Sequence, residues 1–259
     1  MKTPLISIQI KSCYTNKAEE PLMLPTKMAQ ATPDTVRAIT ALATELKNKG
    51  GELVLSDLFR SYDMQYQANL DYRSGKKKAY SPPPGGSMHE AGRAMDIDLS
   101  KIKISLADFW VIASQYGFAP IINTPDTHLK EAWHFDHRGS HALVYNYYKT
   151  GKGTNMPPYT AMAVSGILSL GLQVDKFAGK TKEAFIQSAL IRLGYELGDI
   201  DGNIGAKTNA ALQKAGIKAT SKDEIVLLLE DKLQAQFPAE YSTSVVENSY
   251  DNKPSHLDI

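Results

Sequence analysis

The pattern of apolar and polar positions in the first third of the chain predicts an amphipathic helix. Apolar side chains recur at helical spacing at Val36, Ile39, Leu42 and Leu46. Thr32-Pro33-Asp34 precedes them, and proline at the first helical position with an acid in the first turn is typical of a helix start. Gly50-Gly51 then ends the pattern, as glycine commonly does after a helix.

Shorter segments around this helix have the character of strands and of further helices. We predict strands over residues 5–10, 52–59 and 118–122 and around Asp96, where residues 93–97 alternate in character. Helical patterns cover residues 61–72 and 106–116 and a tyrosine-rich segment from His141. Residues 73–86 contain three lysines and three consecutive prolines and are expected to form a loop, since proline disrupts helices and central strands. These elements predict an α+β fold with a small antiparallel sheet flanked by helices.

The pattern changes after residue 150. Residues 151–158 combine glycines with two prolines, which oppose both regular structures, so we predict a linker over 151–160. Helical periods follow and predict an all-α, three-helix domain over 161–237. Residues 238–259 are polar and are expected to form a loosely ordered tail. Residues 1–150 would then form the first domain, which includes an irregular N-terminal arm over residues 1–31.

Composition agrees with two globular domains and excludes several classes of protein. The 259 residues are 42% hydrophobic and 22% charged, and 29 basic against 28 acidic residues leave a net charge of +1. This balance offers no electrostatic case for nucleic-acid binding. Cys13 is the only cysteine, which excludes an internal disulfide and a multi-cysteine zinc site. No apolar stretch reaches about 18 residues, so no membrane span is expected.

Two short segments carry candidate chemistry. His89 and Asp96 lie seven residues apart around a glycine, and His134 lies in a second segment three residues after Glu131. A catalytic zinc site needs about three nitrogen or oxygen ligands and an open position. His89, Asp96 and His134 would provide such a set, with Glu131 beside the open position as a general base. Two histidines and a carboxylate also suit other divalent ions such as iron, so the identity of the metal stays open.

These motifs resemble those of a known peptidase family. His89-x-x-Gly92-x-Ala94-x-Asp96, followed by Glu131-x-Trp133-His134, is similar to the paired signature of the zinc D-alanyl-D-alanine peptidases of the VanX and VanY types, a group that includes phage L-alanyl-D-glutamate endopeptidases. The resemblance covers roughly residues 54–148. It implies one zinc ion held by His89, Asp96 and His134, a general base at Glu131, and a hedgehog/DD-peptidase type of fold. Asp96 paired with Arg93, and Trp133 in the core, are the structural alternatives.

The same resemblance suggests two further site residues, and a third candidate follows from its position three residues after His134. Asp57-Leu58-Phe59-Arg60-Ser61 resembles the family segment whose arginine orients the substrate and stabilises the oxyanion, although Ser-Gly-Tyr is usual where this chain has Asp-Leu-Phe. Arg60 is therefore a candidate catalytic residue. Ser87, two residues before His89, also fits the signature and is a candidate substrate-binding residue. His137 is a third candidate, for the substrate or the oxyanion.

The C-terminal half resembles a small peptidoglycan-binding module. That module has a Leu-Gly-Tyr helix end, an Asp-Gly-x-x-Gly loop and a Thr-x-x-Ala-Leu helix, which are matched here at residues 193–195, 201–205 and 208–212. A tethered wall-binding module would raise the effective concentration of substrate for a wall peptidase. The alternative is a plain helical extension that stabilises the first domain or mediates dimerisation.

Together the motifs favour a zinc metallopeptidase that cleaves peptidoglycan stem peptides at the sacculus. D-alanyl-D-alanine carboxypeptidase is the leading activity, and L-alanyl-D-glutamate endopeptidase of the phage-lysin type is the alternative. An inactive peptidoglycan-binding protein is the competing hypothesis from another class. Such a protein would act at the cell wall, in the periplasm or outside the cell. Residues 1–11 lack the apolar core of a signal peptide, which implies a removed leader, another export route or a phage origin.

Overall fold

The computed structural model describes residues 2–244 and contains eight strands and eight α-helices within that range. The strands are β1 (Ile6–Ser7), β2 (Lys11–Thr15), β3 (Pro21–Met23), β4 (Gln30–Ala31), β5 (Leu55–Asp57), β6 (Ala94–Ile97), β7 (Phe118–Pro120) and β8 (His134–His137). The helices are α1 (Pro33–Asn48), α2 (Tyr62–Arg73), α3 (Leu106–Gln115), α4 (Ala142–Lys149), α5 (Pro158–Ser169), α6 (Thr181–Arg192), α7 (Ala206–Lys214) and α8 (Lys222–Gln236).

The main sheet has six strands in the order β3-β2-β5-β6-β8-β7, and β1 pairs with β4 in a separate ribbon. The α+β prediction is confirmed. The sheet is not purely antiparallel, however, because β2 and β5 run parallel. The alternating run at residues 5–10 is also not one strand. β1 ends at Ser7 in the ribbon, and the chain joins the main sheet only at Lys11, where β2 pairs with β3.

Helix α1 begins and ends where its sequence signals predict. Pro33 occupies the first turn, and Gly50 after the helix has a φ of 79°, a left-handed conformation that glycine adopts readily. Ile39, Leu42 and Leu46 are fully buried on the predicted apolar face. They join a cluster with Phe109 from α3 and Phe135 from β8, so α1 packs against the centre of the sheet.

The centre of the sheet brings the two sequence motifs together. In the antiparallel pair of β6 and β8, Asp96 lies directly opposite His134 and Ala94 lies opposite Asp136. β5 pairs with β6 on its other side and places Asp57 opposite Asp96. Every residue of β6 and β8 is buried, so the register of these short strands is set by packing on both faces.

The C-terminal helices share a hydrophobic core with the end of the first half. One apolar cluster includes Met88, Ala91 and Ala94 together with side chains of α4 to α8. Gly166 of α5 lies so close to Ala91 that a Cβ built on it would come within 2.6 Å of the Ala91 Cβ. The predicted linker is non-helical only up to residue 157, because Pro158 begins α5. A separate domain over 161–237 stays a prediction.

The beginning of the predicted tail is ordered and packed. Pro238–Glu240 forms a 3₁₀ turn, and the Glu240 carboxylate is buried against two guanidinium groups, those of Arg93 and Arg192. The prediction of loose order is therefore wrong for residues 238–240, because a buried charge pair holds them. Residues 245–259 lie outside the described range. None of the helices between residues 2 and 244 has both the length and the apolar character needed to cross a bilayer.

Candidate active site

Three predicted ligands meet at one point of the sheet. One donor atom from each of His89, Asp96 and His134 lies within 4.8 Å of the others, and all three residues are buried. Asp96 Oδ1 is 3.3 Å from His89 Nε2 and 2.9 Å from His134 Nδ1. Ligands at the usual zinc distances in a tetrahedral site are roughly 3.3 Å apart, so the spacing is close to that of a metal site.

The other ring nitrogen of each histidine is held by a fixed partner. His89 Nδ1 lies 2.6 Å from the carbonyl oxygen of Leu58, and His134 Nε2 lies 2.9 Å from Asp136 Oδ1. Metal-binding histidines commonly use such second partners, which set the tautomer and the orientation of the ring. With protons only on these outer nitrogens, His89 Nε2 and His134 Nδ1 would present lone pairs to a cation bound between them and Asp96.

The electrostatics of the cluster favour a cation. Burial opposes ionisation of Asp96, but the two histidines overcome this and hold its pKa well below the usual range. Burial likewise acts to lower the pKa of His134, and the carboxylates of Asp136 and Asp96 instead raise it to about 10. His89 Nε2 makes no hydrogen bond to any residue in the described range. Two buried carboxylates and an unsatisfied imidazole nitrogen fit a divalent metal ion.

Glu131 lies beside this cluster in an unusual backbone conformation. Its φ is 67°, which is uncommon for a residue with a side chain, and the His134 amide donates to its carbonyl oxygen at 3.0 Å. Burial raises the pKa of Glu131, while His134 opposes the shift and Asp96 adds to it. Its Oε1 is buried without a hydrogen-bond partner in the described residues. A carboxylate with a raised pKa and a free oxygen is suited to accept and return a proton.

Arg60 is tied to the same cluster through two carboxylates. Its Nε donates to Asp57 Oδ2 at 2.6 Å, and its Nη2 lies 3.3 Å from Asp96 Oδ2. Burial alone would lower the pKa of Arg60, but Asp57 and Asp96 raise it and keep the guanidinium charged. Arg60 therefore orients the Asp96 carboxylate and brings positive charge to the site.

A cleft of about 440 Å³ opens above these groups. Arg60, His89, Asp96, Glu131 and His134 all line it, and so does Ser87, as predicted. The Ser87 hydroxyl accepts a hydrogen bond from the His89 amide at 3.3 Å and so braces the turn that carries His89.

The wall of the cleft adds residues that lie outside the two motifs. These are Lys77 and Tyr80 from the predicted loop, Arg138 and Tyr145 after β8, and Tyr159 from α5. The Arg138 guanidinium stacks over the Tyr145 ring, with 4.8 Å between its central carbon and the ring centroid. Among residues 2–244, neither Lys77 nor Arg138 has a carboxylate within salt-bridge distance. Both cations are therefore available to an anionic ligand.

His137 does not join the site. Successive side chains of β8 point to opposite faces of the sheet, so His134 and Asp136 share one face and His137 lies on the other. Its Nδ1 is 2.9 Å from the Thr35 hydroxyl, and its ring packs against Phe118. The predicted contact of His137 with substrate is corrected by this placement, because His137 is a buried packing residue and does not line the cleft.

Comparison with known proteins gives one family and several distant structures. Residues 28–140 match the VanY family, described as D-alanyl-D-alanine carboxypeptidase. No curated protein sequence matches the chain significantly. The LdcB LD-carboxypeptidase, whose structure is described as revealing the molecular basis of peptidoglycan recognition, is 23% identical, with 51% of this chain and 66% of that chain covered and a TM-score of 0.38.

Two structures of DacB are similarly distant. DacB from Streptococcus pneumoniae D39 is 23% identical over 53% of this chain and 80% of that chain, with a TM-score of 0.35. A pneumococcal structure described as the L,D-carboxypeptidase DacB is 20% identical over 58% and 92% of the two chains, with a TM-score of 0.34. The family match spans both sequence motifs and all three candidate ligands. The resemblance predicted from the motifs is therefore confirmed for residues 28–140, which are similar to the VanY-type peptidases.

Proposed function

We propose that this protein is a zinc-dependent peptidase that hydrolyses an amide bond in peptidoglycan stem peptides, with D-alanyl-D-alanine carboxypeptidase as its activity. The observation that carries the proposal is the convergence of His89 Nε2, Asp96 Oδ1 and His134 Nδ1 in a cleft that Glu131 also lines. A metal ion at this point would polarise the substrate carbonyl and make a bound water acidic. The match of residues 28–140 to a carboxypeptidase family supports the choice of reaction.

The chain's own residues then have distinct parts in the reaction. Glu131 accepts a proton from the attacking water and delivers it to the leaving amine, a role that its free oxygen and raised pKa support. Arg60 adds positive charge beside the carbonyl oxygen as charge develops there, and it holds Asp96 in place. Ser87 keeps the His89 turn in position and presents a polar group to the substrate.

The unpaired cations of the cleft favour an acidic substrate. Lys77 and Arg138 line the cleft without carboxylate partners in the described residues, and Arg138 is oriented by its stacking on Tyr145. Stem peptides carry a C-terminal carboxylate and internal carboxylates, and an arginine suits both. A cation beside the cleft also suits the carboxylate next to an L-alanyl-D-glutamate bond. Endopeptidase activity on that bond is therefore the second candidate.

Hydrolysis of a synthetic stem pentapeptide would test the proposal. We expect zinc-loaded protein to release D-alanine, activity to disappear after chelation, and activity to return when zinc is added. Cleavage after L-alanine would instead identify the endopeptidase. Glu131→Gln, which keeps the size of the side chain and removes the base, is the matched control. Absence of cleavage with zinc bound would contradict the proposed function.

We further propose that residues 161–237 attach the protein to the sacculus. The loop that matches the wall-binding module is well formed. The Gln187 side chain accepts hydrogen bonds from the amides of Asp201 and Gly202 and donates to Asp201 Oδ1. Sedimentation of the full-length Glu131→Gln variant with purified sacculi would test attachment without digestion of the wall. A variant left in the supernatant would argue for the plain helical extension instead.

A further inference from the structure

A tyrosine from the C-terminal half reaches the candidate metal site. Tyr159 is the second residue of α5 and lies beyond residues 28–140 that match the peptidase family. Its hydroxyl lies 3.2 Å from Asp136 Oδ1 and 3.5 Å from His134 Nε2. It also lines the cleft that contains the three candidate ligands. The hydroxyl therefore contacts the group that orients a ligand, and not a ligand atom that faces the metal position.

Asp136 needs such a partner because it is wholly enclosed. Its exposed fraction is 0%, and its Oδ2 has no hydrogen-bond partner in the described residues. An ionised carboxylate in such surroundings is costly unless hydrogen-bond donors compensate it. His134 Nε2 and the Tyr159 hydroxyl are the two side-chain donors near it, and both meet Oδ1. With Nε2–H directed at Oδ1, the hydroxyl hydrogen also points to Oδ1.

The position of Tyr159 depends on the packing of α5. Gly166, two turns later in the same helix, allows α5 to lie directly against Ala91 in the turn between His89 and Asp96. Ala161, Met162 and Val164 of α5 are buried in the cluster shared with α4 and α6. The packing of the C-terminal helices therefore fixes the position of Tyr159 beside Asp136 of β8.

We propose that Tyr159 is a positioning residue of the metal site, which keeps Asp136 in the orientation that directs His134 Nδ1 toward the metal. The C-terminal half thus completes the catalytic site as well as serving any attachment to the wall. This inference rests on the proposed function, since it requires that His134 binds a metal ion. Removing a residue that orients a metal-binding histidine typically weakens metal binding about 10- to 100-fold.

Zinc affinity of the full-length protein would test the role directly. We expect Tyr159→Phe to weaken zinc binding about tenfold in a competition titration against a chromophoric chelator. Tyr145→Phe is the matched control, because Tyr145 lines the same cleft and its hydroxyl makes no hydrogen bond within the described residues. Asp136→Asn should weaken binding at least as much as Tyr159→Phe. Thermal unfolding of each variant, measured without metal, verifies that the fold is retained.

Nuclear magnetic resonance of ¹⁵N-labelled histidine gives a second test, the exchange rate of the His134 Nε2 proton. If Tyr159 only stabilised the fold, its substitution would leave this rate unchanged. In the zinc-loaded wild type, His134 should carry its proton on Nε2 and exchange it slowly with water. Tyr159→Phe should speed this exchange, and Tyr145→Phe should not. A wild type that binds no zinc would overturn the proposed function and this inference together. Zinc binding by Tyr159→Phe within twofold of wild type, with unchanged exchange, would overturn this inference alone.

Discussion

At the scale of single residues, the site depends on a backbone conformation that motifs do not reveal. The spacing within each motif, together with the family resemblance, predicted that His89, Asp96 and His134 meet, and the structure brings them together. The pairing of β6 with β8, which places Asp96 opposite His134, was not predicted. The positive φ of Glu131 was not predictable, since nothing in the residue type favours it. Strained residues are found where function requires them, and Glu131 fits this pattern. The error over His137 was avoidable, because alternation along β8 excludes it from the face of His134.

Glu131→Gln should separate the chemical step from metal binding. The amide cannot accept a proton, so we expect kcat to fall about 10²- to 10⁴-fold. Glu131 is not among the three grouped ligands, so zinc affinity should stay within about threefold of wild type. Steady-state kinetics and chelator competition on the same preparation check both values. A parallel loss of zinc and activity would show that Glu131 acts as a ligand.

His137→Gln should change acid stability and leave catalysis intact. Burial lowers the pKa of His137 to about 4, with Asp34 opposing the shift and Arg93 adding to it. The unfolded chain takes up this proton near pH 6.5, so the wild type loses stability as the pH falls from about 6.5 toward 4.

Removing the histidine should make this loss shallower by up to about 1.4 kcal/mol per pH unit. Urea unfolding between pH 7 and 4 measures it, with the exposed His128→Gln as control. Because His137 does not line the cleft, kcat/KM should stay within about threefold of wild type. A large loss of kcat/KM at unchanged stability would restore the original assignment.

At the scale of elements, sequence patterns located most helices and misjudged their connections. Helices with a clear apolar face and end signals, such as α1, agree with the prediction. The predicted linker, residues 151–160, extends into the first turn of α5. Pro157 and Pro158 suggest a break in structure, but Pro158 occupies the first position of the helix, where proline is favourable. The parallel pairing of β2 with β5 involves strands far apart in sequence, and no local pattern encodes it.

Gly166→Ala should destabilise the protein although it improves helix propensity. Alanine normally favours a helix interior by about 1 kcal/mol relative to glycine. Here the new Cβ would come within 2.6 Å of the Ala91 Cβ, so either α5 or the His89 turn must shift. We expect a net loss of about 1–3 kcal/mol in the free energy of unfolding, because overpacking a rigid contact costs this much.

The double variant Ala91→Gly/Gly166→Ala tests whether this contact is responsible. Removing the opposing methyl group should recover most of the loss, which appears as a favourable coupling energy in a double-mutant cycle. Zinc affinity should fall in Gly166→Ala and recover in the double variant, because the displaced turn carries His89. Additive effects of the two substitutions would mean that α5 and the turn are not in direct contact.

At the scale of the whole molecule, one buried network joins the sheet to α1, to α6 and to the last described turn. Arg93, just before β6, forms a bidentate pair with Asp34 of α1 at 2.9 and 3.0 Å. The same guanidinium lies 3.4 Å from Glu240, which also binds Arg192 of α6 at 2.5 Å. Sequence reasoning noted Arg93 only as a partner for Asp96 and treated Glu240 as part of a loose tail. Neither contact follows from local spacing, since the partners are separated by tens of residues.

Glu240→Gln should destabilise the whole fold in a manner that depends on pH. Burial opposes ionisation of Glu240, but Arg93 and Arg192 overcome it and hold the pKa well below its usual range. A carboxyl group with a lowered folded-state pKa adds stability above its unfolded pKa of about 4.3, and this contribution disappears as the pH falls further. At pH 7 the isosteric amide leaves two buried guanidinium groups undercompensated, and we expect a loss of about 3 kcal/mol.

Denaturant unfolding of wild type and variant from pH 7 to pH 3 measures this effect. The difference between the two proteins should be largest near neutral pH and should shrink below pH 4.3, because Glu240 of the unfolded wild type then binds a proton that the folded protein does not take up. Glu196→Gln is the matched control, since Glu196 forms an exposed pair with Lys152 and should change stability by less than about 1 kcal/mol. A constant difference across this pH range would show that Glu240 acts through packing alone. A pH-dependent difference would establish that charge holds the last described turn in place. The same charge would then stabilise the core from which α5 brings Tyr159 to the candidate metal site.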